Sequence, residues 1–244
     1  MLLKVILLTN MRLLSKLWRG FIGLFYPRTC PVCGDILLDT PSERCLCMSC
    51  RADLQRPLSP KSAHILLEDR LEGNLDFEHA VCAYYFQKDS VVQKLVHQLK
   101  YHGREDIGEM LGRDLGRVLL ESGKFADVDC IVPVPLHKKK LRKRGYNQCE
   151  AIARGISEIT GWEIERDALV RKIYNESQTT MSGEQRWENS AGIFSLDLPD
   201  KIAGKNVLVV DDIITTGATM ASCCAELSKA PDVRLFVASV ACTC

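Results

Sequence analysis

The stretch Val207–Met220, VLVVDDIITTGATM, constrains this chain more than any other. Four consecutive apolar residues, Val207–Val210, suit a strand of a parallel sheet covered on both faces, where the alternation of a half-exposed strand disappears. Ligands of such sheets bind beyond the carboxyl ends of the strands. There the sequence places Asp211 and Asp212, two adjacent carboxylates able to accept hydrogen bonds from vicinal hydroxyls. Thr215, Thr216, Gly217, Ala218 and Thr219 follow at the start of a predicted helix, offering backbone N–H groups and hydroxyls to an anion. Gly217 permits close approach of the backbone, and the positive end of the helix dipole favours negative charge. Together these residues describe a cradle for a sugar phosphate.

Other acidic or glycine-containing turns fit less well. A Walker loop requires a Lys after its last glycine, and Ala218 follows Gly217. A phosphatase of the dehalogenase type needs a second Asp two residues after the first, where Ile213 stands. A response-regulator acidic pair needs a phosphoacceptor Asp on a later strand, and little more than one strand remains. A buried strand with a capped helix explains Thr215–Thr219 but gives no reason to set two acids beside a core, where unpaired charge is costly.

The stretch resembles the ribose-phosphate signature of type I phosphoribosyltransferases, which bind 5-phosphoribosyl-1-diphosphate. The resemblance implies that Asp211 and Asp212 hold the ribose and that Thr215, Thr216, Gly217, Ala218 and Thr219 surround the 5-phosphate. Purine-salvage members of the hypoxanthine type carry an acid in place of Thr215, which disfavours that substrate class.

At 244 residues the chain accommodates one α/β domain and a small appendage. A net charge of +1 gives no global attraction to nucleic acid or membrane, so any basic site must be local. The N-terminal segment is apolar in patches, but Lys4, Arg12, Lys16 and Arg19 interrupt it, leaving no span of membrane length. From Met11, itself a candidate start, the apolar residues Leu13, Leu14, Leu17, Trp18, Ile22 and Phe25 keep helical spacing and predict an amphipathic helix within residues 1–26.

Cys30-Pro-Val-Cys33-Gly and Cys47-Met-Ser-Cys50 form two C-x₂-C pairs separated by thirteen residues. Each pair puts two thiolates on one knuckle, and two knuckles close a tetrahedral structural zinc site, predicting a Cys₄ module over 27–56. Cys45 is a rival to Cys47 with poorer spacing. Cys82, Cys130, Cys149, Cys223, Cys224 and Cys242 read as small buried hydrophobes, and Cys244 as a mobile terminal residue. A charged, proline-containing linker is expected over 57–76, and the larger domain over 77–244.

In that domain strands are predicted at Ala80–Phe86, Val128–Val132, Leu169–Ile173, Val207–Val210 and Arg234–Ser239, with helices at Ser90–Tyr101 and Ile107–Leu120. Gly192–Leu196 belongs at an edge or in a hood. Pro133 and Pro135 end the second strand with a turn. The run His137–Arg144 then holds six Lys or Arg among eight residues. It suits a solvated segment, a nucleic-acid patch or the neutralisation of a diphosphate.

The segment VPVPLHKKKLRKRGYNQ resembles the hallmark of the ComF family, relatives of GntX, and less closely the diphosphate loop of amidophosphoribosyltransferases. Gln178-Thr179-Thr180 and Arg186-Trp187-Glu188-Asn189 ahead of Gly192-Ile193-Phe194 extend the likeness. The resemblance implies a type I phosphoribosyltransferase-like α/β fold, a mainly parallel sheet flanked by helices, with an N-terminal Cys₄ zinc module. It also implies a diphosphate pocket from Pro135, Leu136, His137, Lys138, Arg142 and Arg144, Mg²⁺ accompanying the donor, a mobile lid carrying Arg186, and a cytoplasmic setting. As a transferase, the protein would displace diphosphate with a nitrogen acceptor, Asp211, Asp212 and Arg186 acting on the reacting sugar. As a binding module, it would serve natural competence, engaging single-stranded DNA or DNA-uptake and recombination proteins.

Overall fold

The computed structural model describes residues 27–38, 45–71, 73, 75–173 and 192–243. The predicted N-terminal helix, Gln178–Thr180, Arg186 and Cys244 lie outside them. The chain divides into two compact units, Met1–Asp53 and Leu54–Cys244.

In the first unit a bridge pairs Thr29 with Ile36 around the Cys30–Cys33 knuckle. Gly34, at φ +84°, lets the chain turn so that its N–H reaches the Cys30 carbonyl at 2.9 Å. The second knuckle is a helix start: α1 (Met48–Ala52) has Cys47 at its N-cap, with the thiol sulfur accepting from Cys50 N at 3.4 Å.

The second unit is built on five parallel strands: β1 (Ala80–Phe86), β2 (Cys130–Pro133), β3 (Glu163–Ile164), β6 (Asn206–Ile214) and β7 (Arg234–Thr243), in the order β1-β7-β6-β2-β3. The central strands are buried nearly throughout, so uninterrupted apolar runs form them. Parallel pairing requires crossovers, supplied by α3 (Val91–Tyr101) with α4 (Glu105–Ser122), by α6 (Gln148–Thr160) and by α7 (Ala218–Leu227). Capping follows sequence: Ser90 accepts from Gln93 N, Asn147 from Cys149 N, and Gly123 and Gly161 end their helices in left-handed conformations.

Several expectations are corrected. The stretch expected as linker contains α2 (Pro60–Leu71), which packs on β1 and buries Leu67 and Leu71 in the core. β4 (Leu169–Arg171) does not join the main sheet; it pairs antiparallel with β5 (Phe194–Leu196) as a separate hood, while the two-residue β3 takes the sheet edge. β6 runs on through both aspartates because β7 continues pairing as far as Ile214↔Cys242. Pro133 closes β2 opposite Val210, its missing N–H tolerated at the last ladder position.

Glycines set the closest helix crossing. Gly108, Gly112 and Gly116 line one face of α4 against α6, and a Cβ on Gly112 would lie 2.9 Å from the Ile152 carbonyl carbon and 3.0 Å from Gly155 Cα. Such proximity is available only without side chains, and it fixes α6, whose first turn enters the site described next.

Candidate functional site

Parallel pairing brings the end of β2, the aspartates of β6 and the start of α6 together. Asp211 and Asp212 are 8% and 4% exposed. Asp211 Oδ1 accepts from Asp212 N at 2.8 Å and from the Cys149 thiol at 3.3 Å; Asp212 Oδ1 accepts from Ile213 N at 2.9 Å. The Lys100 ammonium, one residue before the end of α3, lies 2.6 Å from Asp212 Oδ2 in an ion pair.

Burial, followed by the neighbouring charge of Asp212, pushes the Asp211 carboxyl up to about 7; Lys100, the Asp212 backbone N–H and the Cys149 thiol restrain the rise. Burial opposes the charge on Lys100, but Asp212 overcomes it and the ammonium is held more firmly protonated than usual. Cys149, fully buried beside two carboxylates, stays a thiol.

Beyond the pair, Asp211 and Ile213–Met220 line an open pocket of about 210 Å³, counting its space open to solvent. Gly217 takes φ +81° as N-cap of α7 with no side chain of its own to cap it, while Thr216 Oγ1 accepts from Ala218 N at 3.5 Å. A Cβ there would meet Leu71 of α2 at 2.7 Å, so two independent constraints keep the position a glycine. Thr215 and Thr219 are exposed and Thr216 half-buried, while Gly217 and Ala218 are buried.

The basic run forms a helix, α5 (Lys138–Arg144), with His137 as N-cap and Gly145 closing it at φ +89°. Lys138 and Arg142 are exposed, whereas Pro135, Leu136, His137 and Arg144 are half-buried. Arg144 bonds Gln148 and lies 5.8 Å from the centre of the Tyr101 ring. The Gly145-Tyr146-Asn147-Gln148 segment fastens neighbouring elements: Tyr146 OH donates to the Leu99 carbonyl and Asn147 Nδ2 to the Val134 carbonyl at 3.1 Å.

Four residues of this region escaped the sequence reading as individual contributors. Lys100 and Cys149 reach the aspartates through packing alone. Lys140 is the inward member of the basic run: burial, then the charges of Arg171, Arg144 and Lys100, make its ammonium easier to deprotonate. Arg171, on the hood, stacks 5.3 Å from the Phe194 ring centre with its Nε buried and without a hydrogen-bond partner among the described residues. Burial lowers its pKa, while Cys223 and Asp211 pull the other way.

In the first unit Cys30, Cys33, Cys47 and Cys50 place their sulfurs within 4.8 Å of one another. Burial opposes ionisation of Cys30, yet backbone hydrogen bonds at Cys47, Cys33 and Val32 hold its pKa to about 7. Four converging thiols with one already acidic fit a structural zinc ion, which would take all four as thiolates.

The parallel sheet with a buried acid pair at its carboxyl edge and a glycine-opened pocket beside it is a phosphoribosyltransferase-like fold, and residues 141–234 match the family described as phosphoribosyl transferase domain. The chain is 32% identical over 130 residues to the DNA utilization protein YhgH of Escherichia coli (strain K12), covering 52% of this chain and 56% of that protein, so it spans little more than half the length of that relative. It is 26% identical over 220 residues to competence protein ComFC of Bacillus subtilis (strain 168), covering 82% of this chain and 86% of that one. The glutamine phosphoribosylpyrophosphate amidotransferase of B. subtilis superposes with a TM-score of 0.38 at 21% identity, over 57% of this chain and 30% of that one. These similarities to competence and DNA utilization proteins agree with the ComF resemblance carried by the sequence motifs. No described helix is long and apolar enough to cross a membrane.

Proposed function

We propose that the protein binds 5-phosphoribosyl-1-diphosphate, with its ribose on Asp211 and Asp212, its 5-phosphate in the Thr215–Thr219 pocket and its diphosphate facing the Pro135–Lys138 turn, Arg142 and Arg144. The observation that carries this reading is the continuity of the Asp211–Met220 pocket with a buried acid pair at the carboxyl edge of a parallel sheet. Lys140 adds inward positive charge. Magnesium would arrive on the donor's diphosphate, because Lys100 already stands on Asp212; there it would offset phosphate charge. Transfer to a nitrogen acceptor is the corresponding activity, with Arg186 as a further cation.

Calorimetric titration with the donor and Mg²⁺ tests this. Saturable binding lost in Asp211→Asn supports it, and no binding by the wild-type protein overturns it. Diphosphate release that depends on an added acceptor separates a transferase from a binding module.

A second reading rests on α5, where Lys138, Lys139, Arg142 and Lys143 are exposed along one short helix. Relatives named for DNA utilization and competence suggest single-stranded DNA or a DNA-processing partner as its target. Tyr146 is committed to the Leu99 carbonyl, leaving phosphate neutralisation rather than base stacking as the means. Changing the exposed Lys139, Arg142 and Lys143 to Ala should then weaken single-strand affinity and flatten its salt dependence; unchanged affinity would remove this reading.

A further inference from the structure

We propose that Lys100 is a tethered cation occupying the place a divalent metal would otherwise take among Cys149, Asp211 and Asp212, so that the acid pair holds no metal of its own. One ligand atom from each of those three residues lies within 4.8 Å of the others, all three residues buried, a donor set of two carboxylates and a sulfur. Left alone, two adjacent buried carboxylates demand a counter-charge and make an attractive cation site. Divalent ions approach carboxylate oxygen to about 2.0–2.6 Å, and the Lys100 ammonium already lies 2.6 Å from Asp212 Oδ2. The two cations claim the same space. Among the described residues, no other Lys or Arg forms an ion pair with either aspartate.

Lys100 is held to this task by its neighbours. The preceding residue's carbonyl accepts the Tyr146 hydroxyl, and the following residue's ring lies beneath Arg144. The end of α3 is thereby fastened to the junction of α5 and α6, and the ammonium reaches the aspartates from a fixed helix terminus. A cation carried on the chain cannot be chelated or exchanged, and it supplies one positive charge where a metal would supply two. It thus neutralises part of the acid pair without gathering its oxygens into a coordination shell. Those oxygens stay open to hydroxyl donors. This inference requires no particular ligand and stands apart from the donor-binding reading.

The test uses Mn²⁺ as probe, titrated into the zinc-loaded full chain without any phosphoribosyl donor and followed by electron paramagnetic resonance of the free ion. The wild type should show no Mn²⁺ site that depends on Asp212. Lys100→Met should gain one, absent again from Lys100→Met combined with Asp212→Asn, while Lys100→Arg should keep the position closed. Should Lys100→Met fail to fold, Lys100→Gln replaces it, retaining a polar stem. Wild-type Mn²⁺ binding abolished by Asp212→Asn would overturn the proposal. So would a folded Lys100→Met or Lys100→Gln variant that binds no Mn²⁺.

Discussion

Gly112→Ala places a methyl group into the α4–α6 crossing, and the structure sets the expected outcome. The new Cβ would sit 2.9 Å from the Ile152 carbonyl carbon and 3.0 Å from Gly155 Cα. Carbon atoms pack best at about 3.5–4.0 Å, so relieving these contacts and the closer one to the Ile152 carbonyl oxygen requires the helices to part by about 1 Å or more. All three obstructing atoms are backbone, and no rotamer change relieves them. Overpacking of this kind costs about 1–3 kcal/mol or more, whereas replacing a mid-helix Gly by Ala recovers about 1 kcal/mol. Opening the seam also weakens the neighbouring contacts across it, so we expect a net loss of about 2 kcal/mol. For a domain of this size that lowers the melting temperature by about 4–8 °C. Gly116→Ala is the internal control: same helix, same gain in propensity, but the nearest atom is Ile159 Cβ at 3.1 Å and the next lie at 3.4 Å, so a far smaller displacement relieves the contact. Scanning calorimetry and urea titration of both variants provide the comparison. A Gly112→Ala protein as stable as Gly116→Ala would refute the reasoning.

Changing Cys30 or Cys50 to Ser should remove the single equivalent of zinc expected per chain, read by metal analysis; full zinc in both variants would sink the Cys₄ assignment. The folded Asp211 carboxyl holds its proton to about 7 against an ordinary 3.8, so the folded state binds more protons between those values. Its contribution to stability therefore falls as pH rises through that window, and the difference in unfolding free energy between wild type and Asp211→Asn should carry that slope. Cys149→Ala removes a donor to the carboxylate and should raise the Asp211 pKa further, as followed by carboxyl-carbon NMR; a downward shift would contradict the bond. His64, buried with Nδ1 2.9 Å from the Ala80 carbonyl, is lowered below 6.5 chiefly by burial. The unfolded chain then takes up the proton first as pH falls below about 6.5, so stability drops on acidification. Relative to His64→Asn, the wild type should lose stability over that range.

The portion of the site carried by one contiguous segment was legible in the sequence. Strand, acids and glycine turn follow each other from Val207 to Met220, so local chemistry and spatial arrangement coincide. The cysteine knuckles were legible for the same reason, two short pairs each making its own turn. Lys100 and Cys149 were not, because their place depends on where α3 and α6 dock, and an amphipathic helix does not disclose which residue of its last or first turn meets a distant strand. The Gly108, Gly112 and Gly116 face was visible at four-residue spacing, but glycine is also the common mark of a turn, and only the crossing shows its use. Leu169–Arg171 has the composition of a sheet strand; its antiparallel partner rather than its own residues places it in the hood. β3 is two residues long and gives no periodicity to read.

The strand order has a consequence for how the chain is made. β1 finds its strand partner in β7, with Ala80 opposite Val237, and β7 also completes the pairing of β6. The register joins residues 157 positions apart (237 − 80). At about 5–20 residues per second, synthesis leaves β1 waiting roughly 8–30 s for its neighbour. During that interval α2 and α3 can cover its faces, but its hydrogen-bonding edges remain open and β6 emerges with a gap beside it. The sheet cannot close in the order of its synthesis: it must admit its final strand into the middle. A nascent chain stalled before Arg234 would present two unpaired apolar edges, and such intermediates are where chaperones or aggregation would meet this protein.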